Sequence, residues 1–262
     1  MPSSARPTLI PNPRQQRLLD CLREAQVLSV EALAHELDVT LQTVRRDVKL
    51  LDQAGRLARF HGGVRTLAST TENVAYRTRQ QWHENEKKRI AERLAQDVPD
   101  GSSLILSIGT TTEAIARALA GKRGLRVITN NLHVASILSV QPDCEVIVSG
   151  GLVRGVDQGI VGETAVDFIR QFRVDFGLIG ISSIEPDGTL RDFDLREVKV
   201  AQAIVAQSRQ VWLAADSSKF ARSAMVEVGH LRMVQRLYTD APPPDSLQAV
   251  LDESGVGCVV VG

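Results

Sequence analysis

The sequence predicts an α/β main domain, with a mainly parallel sheet, carrying a small N-terminal winged helix-turn-helix domain. Three observations lead there. A capped amphipathic helix over residues 41–54 has one basic face, a basic hairpin turning on glycines follows it, and from Asp100 onward short apolar strands alternate with amphipathic helices. A chain of 262 residues with 43% hydrophobic content can bury a substantial core beside a head of that size. The expected division is 1–66 for the winged helix-turn-helix, 67–83 for a linker and 84–262 for the α/β domain.

Asn12 and Pro13 open the first helix, because proline in the first turn removes only an N–H that has no partner there; Leu18, Leu19 and Leu22 form its apolar side. Ser29 caps a short second helix lined by Ala32, Leu33 and Leu37, and Asp38 with Val39 makes the turn. Thr40 caps the third. On it Leu41, Val44, Val48 and Leu51 recur at the spacing that keeps side chains on one side, and Gln42, Arg45, Arg46 and Lys49 fall opposite. Asp47 flanks the apolar stripe, a structural position that suits orienting a neighbouring arginine, and Gly55 supplies the left-handed stop.

Alternation over 56–60 and 64–67, around His61, Gly62 and Gly63, predicts a hairpin, the wing. Between 40 and 66 six basic residues (Arg45, Arg46, Lys49, Arg56, Arg59, Arg65) face two acidic ones (Asp47, Asp52), whereas the whole chain, with 31 of each sign, has no net charge. Basic charge gathered on one element is the electrostatic footprint of DNA binding. The candidate DNA contacts are Thr40, Gln42, Thr43, Arg45, Arg46, Lys49, Arg56, Arg59, His61 and Arg65. A solvated helix face would explain the arginines alone; the cap, the small preceding helix and the glycine hairpin together favour DNA.

Residues 67–83 are polar and aperiodic, as a linker would be. Ile90, Ala91 and Leu94 restore helical spacing over 84–96, with Glu86, Lys87, Lys88 and Arg89 expected as its solvated face. Strands follow at 104–108, 125–129 and 145–149, answered by helices at 113–119, 132–138 and 164–172. Later strands are expected at 176–181, 211–215, 237–239 and 258–261, with a helix over 198–206 and a tight turn at Pro186, Asp187 and Gly188.

In open sheets of this class ligands collect beyond the carboxyl ends of the strands. Four polar loops stand there: Gly109, Thr110, Thr111 and Thr112; Asn130 and Asn131; Gly150 and Gly151; and Asp216 through Lys219. Backbone N–H groups, hydroxyls and one lysine at successive strand ends suit an anion such as a phosphate. Each loop alone reads equally as a cap or a turn. Effector contacts are expected at Gly109, Thr110, Thr111, Thr112, Asn130, Asn131, Gly150, Gly151, Asp216 and Lys219.

No Walker sequence or dinucleotide fingerprint is present, so no cofactor is expected. Cys21, Cys144 and Cys258 are odd in number and far apart, which implies neither a disulfide framework nor a metal. No apolar run approaches the roughly 18 residues of a membrane span, and residues 1–12 lack a signal-peptide core, so a cytoplasmic protein without a membrane partner is expected.

Leu37 through Thr40, Val44 through Asp47, and Arg59 through Gly63 resemble the amino-terminal signature of the DeoR family of bacterial repressors. The rest of the chain resembles that family's sugar-phosphate sensor, similar in fold to ribose-5-phosphate isomerase and glucosamine-6-phosphate deaminase. Ile108 through Thr111, Ile128 through Leu132, Asp167 through Arg173, Ser218 through Phe220 and Tyr238 through Pro244 are similar to the glycerol-regulating branch. The resemblance implies a homo-oligomer, dimer or tetramer, that represses by binding operator double-stranded DNA and releases it when glycerol 3-phosphate binds. The sequence departs from the family pattern at Ser107, where an aspartate is common, at Phe60, where a polar residue is common, and at Ala221, a frequent glycine. The competing expectation is an isomerase-like enzyme using Asp187, Glu197, Lys199 and Asp216, but fold alone does not establish catalysis.

Overall fold

The computed structural model describes residues 11–25, 27–60, 63–66 and 76–262. They form two compact units, with the division between Val74 and Ala75.

The first unit runs α1 (Pro13–Ala25), β1 (Val27–Ser29), α2 (Val30–Glu36), α3 (Leu41–Gln53), β2 (Leu57–Phe60) and β3 (Gly63–Thr66). Local chemistry places the ends. Ser29 Oγ accepts the Ala32 N–H at 3.0 Å, Thr40 Oγ1 accepts the Thr43 N–H at 3.3 Å, and Asp38 takes a φ of 52° in the turn between α2 and α3. Gly55, at φ 65°, lets the chain leave α3 after Ala54. The hairpin forms as expected, and β1, too short for a sequence pattern, adds a third antiparallel strand in the order β1-β3-β2. His61 and Gly62 lie outside the described residues.

Leu18, Leu22, Leu33, Val44, Leu51 and Val64 are fully buried and close the small core. Leu41 departs from its expected place in that stripe: it is 41% exposed, because the first helical residue projects beyond the packed turns. Asp47 ties α3 to α1. Arg14 Nε donates to its Oδ2 at 2.6 Å and Gln15 Nε2 to its Oδ1 at 2.9 Å. Burial alone would raise this carboxyl, but those hydrogen bonds and the charges of Arg14 and Arg46 hold it below its ordinary range.

The second unit opens with α4 (Tyr76–Gln81) and α5 (Glu84–Asp97), followed by β4 (Ser103–Leu106), α6 (Thr110–Ala118), β5 (Leu125–Thr129), α7 (Leu132–Leu138) and β6 (Cys144–Val148). A two-stranded arm, β7 (Leu152–Val153) and β8 (Ile160–Val161), precedes α8 (Glu163–Ile169) and β9 (Val174–Ile179). Next come β10 (Ser183–Ile184), β11 (Thr189–Asp192), α9 (Leu195–Gln207), β12 (Ser208–Ala214), β13 (Val226–His230), β14 (Arg236–Thr239), α10 (Asp245–Ser254) and β15 (Gly257–Val260). Seven parallel strands make the main sheet in the order β15-β14-β12-β9-β4-β5-β6.

Successive side chains of a strand point to opposite faces, and the core divides accordingly. Leu104, Leu106, Val127, Leu178 and Trp212 pack with α5, α6 and α7, while Ile105, Ile128, Ile179, Val211 and Leu213 pack with α8, α9 and α10. Strands buried on both faces read as continuous apolar runs, which is why they were visible in the sequence. Of the expected linker 67–83, residues 67–75 lie outside the described residues and 76–83 form α4 and the lead-in to α5. Tyr76, buried, donates its hydroxyl to Glu113 of α6 at 2.9 Å, so this segment is held by a polar contact and not by the apolar repeat that marks a helix in sequence.

Candidate nucleic-acid interface and effector cleft

In the first unit, Gln42, Arg45, Arg46 and Lys49 are all exposed on α3, with Thr40 exposed and Thr43 half-buried at its start. Thr40 and Thr43 bond to each other, hydroxyl to hydroxyl, at 2.9 Å. Val44, Val48 and Leu51 are buried beneath, so the inward and outward faces of the helix separate apolar from basic residues. Arg56 and Arg59 are exposed along the hairpin; His61 and the side chain of Arg65 are outside the described residues.

In the second unit the sheet supplies its own address for a ligand. From β4 the chain adds β5 and β6 on one side, and β9, β12, β14 and β15 on the other, so the order reverses beside β4. Loops diverge at such a switch point and leave a crevice. The cleft there is lined by Ile108, Gly109, Thr110 and Thr111 after β4, by Gly180, Ile181 and Ser182 after β9, and by Asp216 and Lys219 after β12. Gly109, at φ 145°, turns the chain into α6 with a backbone geometry that L side chains rarely adopt.

Four cations gather in this cleft: Arg79, Lys87, Lys219 and Arg222. Lys87 corrects an expectation. It is only 5% exposed instead of solvated, and its Nζ donates to the Arg79 carbonyl. Its position on α5 shares a face with Ile90, Ala91 and Leu94, which draws it inward with them. Burial, reinforced by the nearby Lys219 charge, lowers its pKa to about 8 against the opposing pull of Asp216. Lys219 is lowered by burial too, with Asp216 opposing at 3.6 Å. Burial would raise Asp216; Lys219, the Ser218 hydroxyl, His83 and Lys87 outweigh it and bring the carboxyl down to about 2.

An acidic wall completes the cleft. Glu197 accepts from Arg154 at 2.7 Å, and Arg154 also binds Asp157 at 2.6 Å and Asp194 at 3.2 Å. Arg79 approaches Asp157 at 3.7 Å. Burial and the neighbouring Asp192 raise the Glu197 carboxyl, with Arg154 pulling the other way.

The expected effector residues do not all arrive. Gly109, Thr110, Thr111, Asp216 and Lys219 line the cleft. Thr112 does not, because its hydroxyl bonds the Ser107 and Gly109 carbonyls at 2.9 and 2.7 Å and holds the loop from behind. Asn131 is the N-cap of α7, accepting the His133 N–H at 2.9 Å. Gly150 and Gly151 form the turn into β7 and lie outside the lining, Gly151 backed by Ile160 and Val161. Asn130 borders a smaller chamber adjoining the cleft. Arg79, Trp82 and His83 were missed inside the expected linker, and Ser182, Asp192 and Arg222 carried no local signal. The phase of Lys87 with the apolar stripe is one signal that was present.

Of the four groups weighed for catalysis, Glu197 and Asp216 reach the cleft. Asp187 lies in the β10–β11 turn accepting the Thr189 N–H at 2.9 Å, and Lys199 lines a separate groove between α8 and α9. Among the described residues, no helix is long and apolar enough to cross a membrane.

Residues 14–70 match the DeoR-like helix-turn-helix domain and residues 82–241 the DeoR C terminal sensor domain. The chain is 44% identical to the glycerol-3-phosphate regulon repressor of Escherichia coli over 92% of this chain and 95% of that protein. It is 41% identical to the HTH-type transcriptional repressor CsqR of the same organism over 95% of each. Ribose 5-phosphate isomerase A from Methanocaldococcus jannaschii aligns over 53% of this chain and 55% of its own, at 14% identity and a TM-score of 0.40.

Proposed function

This chain belongs to the DeoR family, and from that premise we propose that it is a cytoplasmic repressor of genes of glycerol and glycerol 3-phosphate metabolism. It binds operator DNA as a homo-oligomer and leaves it when glycerol 3-phosphate, or another sugar or polyol phosphate, occupies the cleft. The observation that supports this reading best is the pairing of an exposed basic helix face in one unit with a switch-point cleft holding Arg79, Lys87, Lys219 and Arg222 in the other.

In this reading Gln42, Thr43, Arg45, Arg46 and Lys49 enter or border the major groove, with the two arginines divided between guanine edges and phosphates. Arg56, Arg59 and Arg65 hold the backbone beside them. Thr110 and Thr111 with Lys87 and Lys219 receive the effector phosphate. Release requires the effector to bind the DNA-free state more tightly than the DNA-bound one.

The test is a titration of the full-length protein on DNA from upstream of its own and neighbouring genes, at fixed salt, with and without glycerol 3-phosphate. Specific binding weakened by glycerol 3-phosphate supports the whole reading. Specific binding indifferent to it keeps the regulator and removes this effector; turnover of sugar phosphates without specific DNA binding would establish the enzyme instead.

A pH dependence follows from Lys87. A dianion beside the ammonium favours its charged form, so effector binding raises a pKa that starts near 8 and takes up a proton above that pH. Affinity for glycerol 3-phosphate is therefore expected to fall as pH rises above about 8, although the phosphate itself stays dianionic there. Calorimetry in buffers of different ionisation enthalpy measures the uptake. Lys87→Met should reduce it; uptake unchanged in that variant would remove Lys87 from the site.

A further inference from the structure

We infer that the inner end of the cleft is a hydroxyl subsite, in which Asn130 Oδ1 together with Asp192 and Glu197 receives the hydroxyl groups of the effector. The inference rests on the cleft being the phosphorylated-effector site, and it names the feature by which that site selects a phosphorylated polyol from other phosphomonoesters.

Asn130 follows β5 and is 1% exposed. Two bonds to one residue fix it: its carbonyl accepts the Ile160 N–H at 2.7 Å, and its Nδ2 donates to the Ile160 carbonyl at 2.9 Å. Because that carbonyl needs a donor, the amide cannot be reversed without loss. Oδ1 is left buried without a hydrogen-bond partner, and Asn130 lines the small chamber that adjoins the cleft. An unsatisfied buried acceptor is costly, and a donor brought by a ligand relieves it.

The surrounding groups offer acceptors and have already committed their donors. Ser107 donates its hydroxyl to the Ile108 carbonyl at 3.3 Å and accepts the Gly180 N–H at 3.3 Å. Asp192 Oδ1 accepts from Ser182 at 2.8 Å, and Glu197 is oriented by Arg154. Both carboxylates border the cleft and the chamber alike. The cations stand on the cleft side of this boundary, and the chamber beyond it contains none of them.

A molecule that fits carries an anion at one end and hydroxyl donors at the other. A phosphorylated alcohol without further hydroxyls leaves Oδ1 unsatisfied, and a second carboxylate in the chamber meets Asp192 and Glu197. Discrimination of this kind is strong where a buried polar group depends on the ligand for its partner.

Calorimetric titration of the full-length protein with glycerol 3-phosphate, n-propyl phosphate and inorganic phosphate tests the subsite. The wild type is expected to prefer glycerol 3-phosphate over n-propyl phosphate by about 100-fold or more. Asn130→Leu should shrink that ratio by at least about tenfold. Asp192→Asn, which keeps the side-chain shape, should also shrink it and serves if Asn130→Leu fails to fold. Equal affinity of the wild type for the two organic phosphates would overturn the hydroxyl subsite and leave the phosphate site standing. Binding of none of the three would remove the phosphate reading and this inference together. A ratio retained in the folded variants would mean that Oδ1 serves a structural water, and the assignment would fall.

Discussion

Alanine at both Arg45 and Arg46 is expected to weaken specific operator binding by about 2–6 kcal/mol, roughly 30-fold to 10⁴-fold at fixed salt, summing about 1–3 kcal/mol for each arginine. Both side chains are exposed on α3, and the buried residues beneath them, Val44, Val48 and Leu51, are untouched, so the thermal transition of the protein should be nearly unchanged. The single variants divide the roles. A base-reading arginine relaxes preference at one base pair, whereas a phosphate-binding residue weakens all sequences alike and reduces the salt slope by about 1. Lys49→Ala is expected to behave in the second way. Binding of the double variant at wild-type affinity would remove this face from the DNA interface.

That face was readable from sequence because every feature defining it is local. The cap at Thr40, the stop at Gly55 and the phase of Val44, Val48 and Leu51 all lie within one helix and its ends. The partners of Asp47 are not local: Arg14 and Gln15 stand 33 and 32 residues away, and helix packing alone brings them to the carboxylate. The main sheet was readable for a different reason. Its inner strands are covered on both faces, so they appear as apolar runs whose identity survives small errors at the ends. Three-residue β1 has no room for a period and is defined by its register against β3, from Val27 opposite Arg65 to Ser29 opposite Gly63.

The cleft was half readable. Gly109, Thr110, Thr111 and Lys219 announce themselves because strand ends followed by small hydroxyl residues are where a parallel sheet opens to ligands. Arg79 and Lys87 do not, since charge in a polar stretch normally means solvent. Lys87 enters the interior only because its helix face packs against the sheet and places cation-binding groups, the Arg79 carbonyl and Asp216, around its end. Asp192 and Glu197 reach Asn130 across a chamber made by β4, β5, β9 and α9, a meeting that depends on strand order. Strand order, in turn, rests on crossovers that a single sequence does not display.

Lys219→Met is expected to yield a repressor that still binds its operator and no longer lets go. The lysine lines the cleft with its side chain only 11% exposed, and a charge-assisted hydrogen bond to phosphate contributes about 1.5–3 kcal/mol, so its loss alone costs roughly 10- to 150-fold in effector affinity. The measured effect should exceed that range. Asp216, 1% exposed and 3.6 Å from the lysine, keeps a carboxylate charge that Lys219 helps to hold, and without it that charge faces the incoming dianion. Adding Asp216→Asn removes the repulsion and preserves an acceptor for the Ser218 N–H, so the double variant should regain part of the affinity that Lys219→Met loses. Such recovery separates an electrostatic role from loss of fold, because a merely misfolded cleft would not improve on a second substitution. Operator release by glycerol 3-phosphate is the readout: a Lys219→Met protein released at the wild-type concentration would sink the assignment of this lysine to the phosphate.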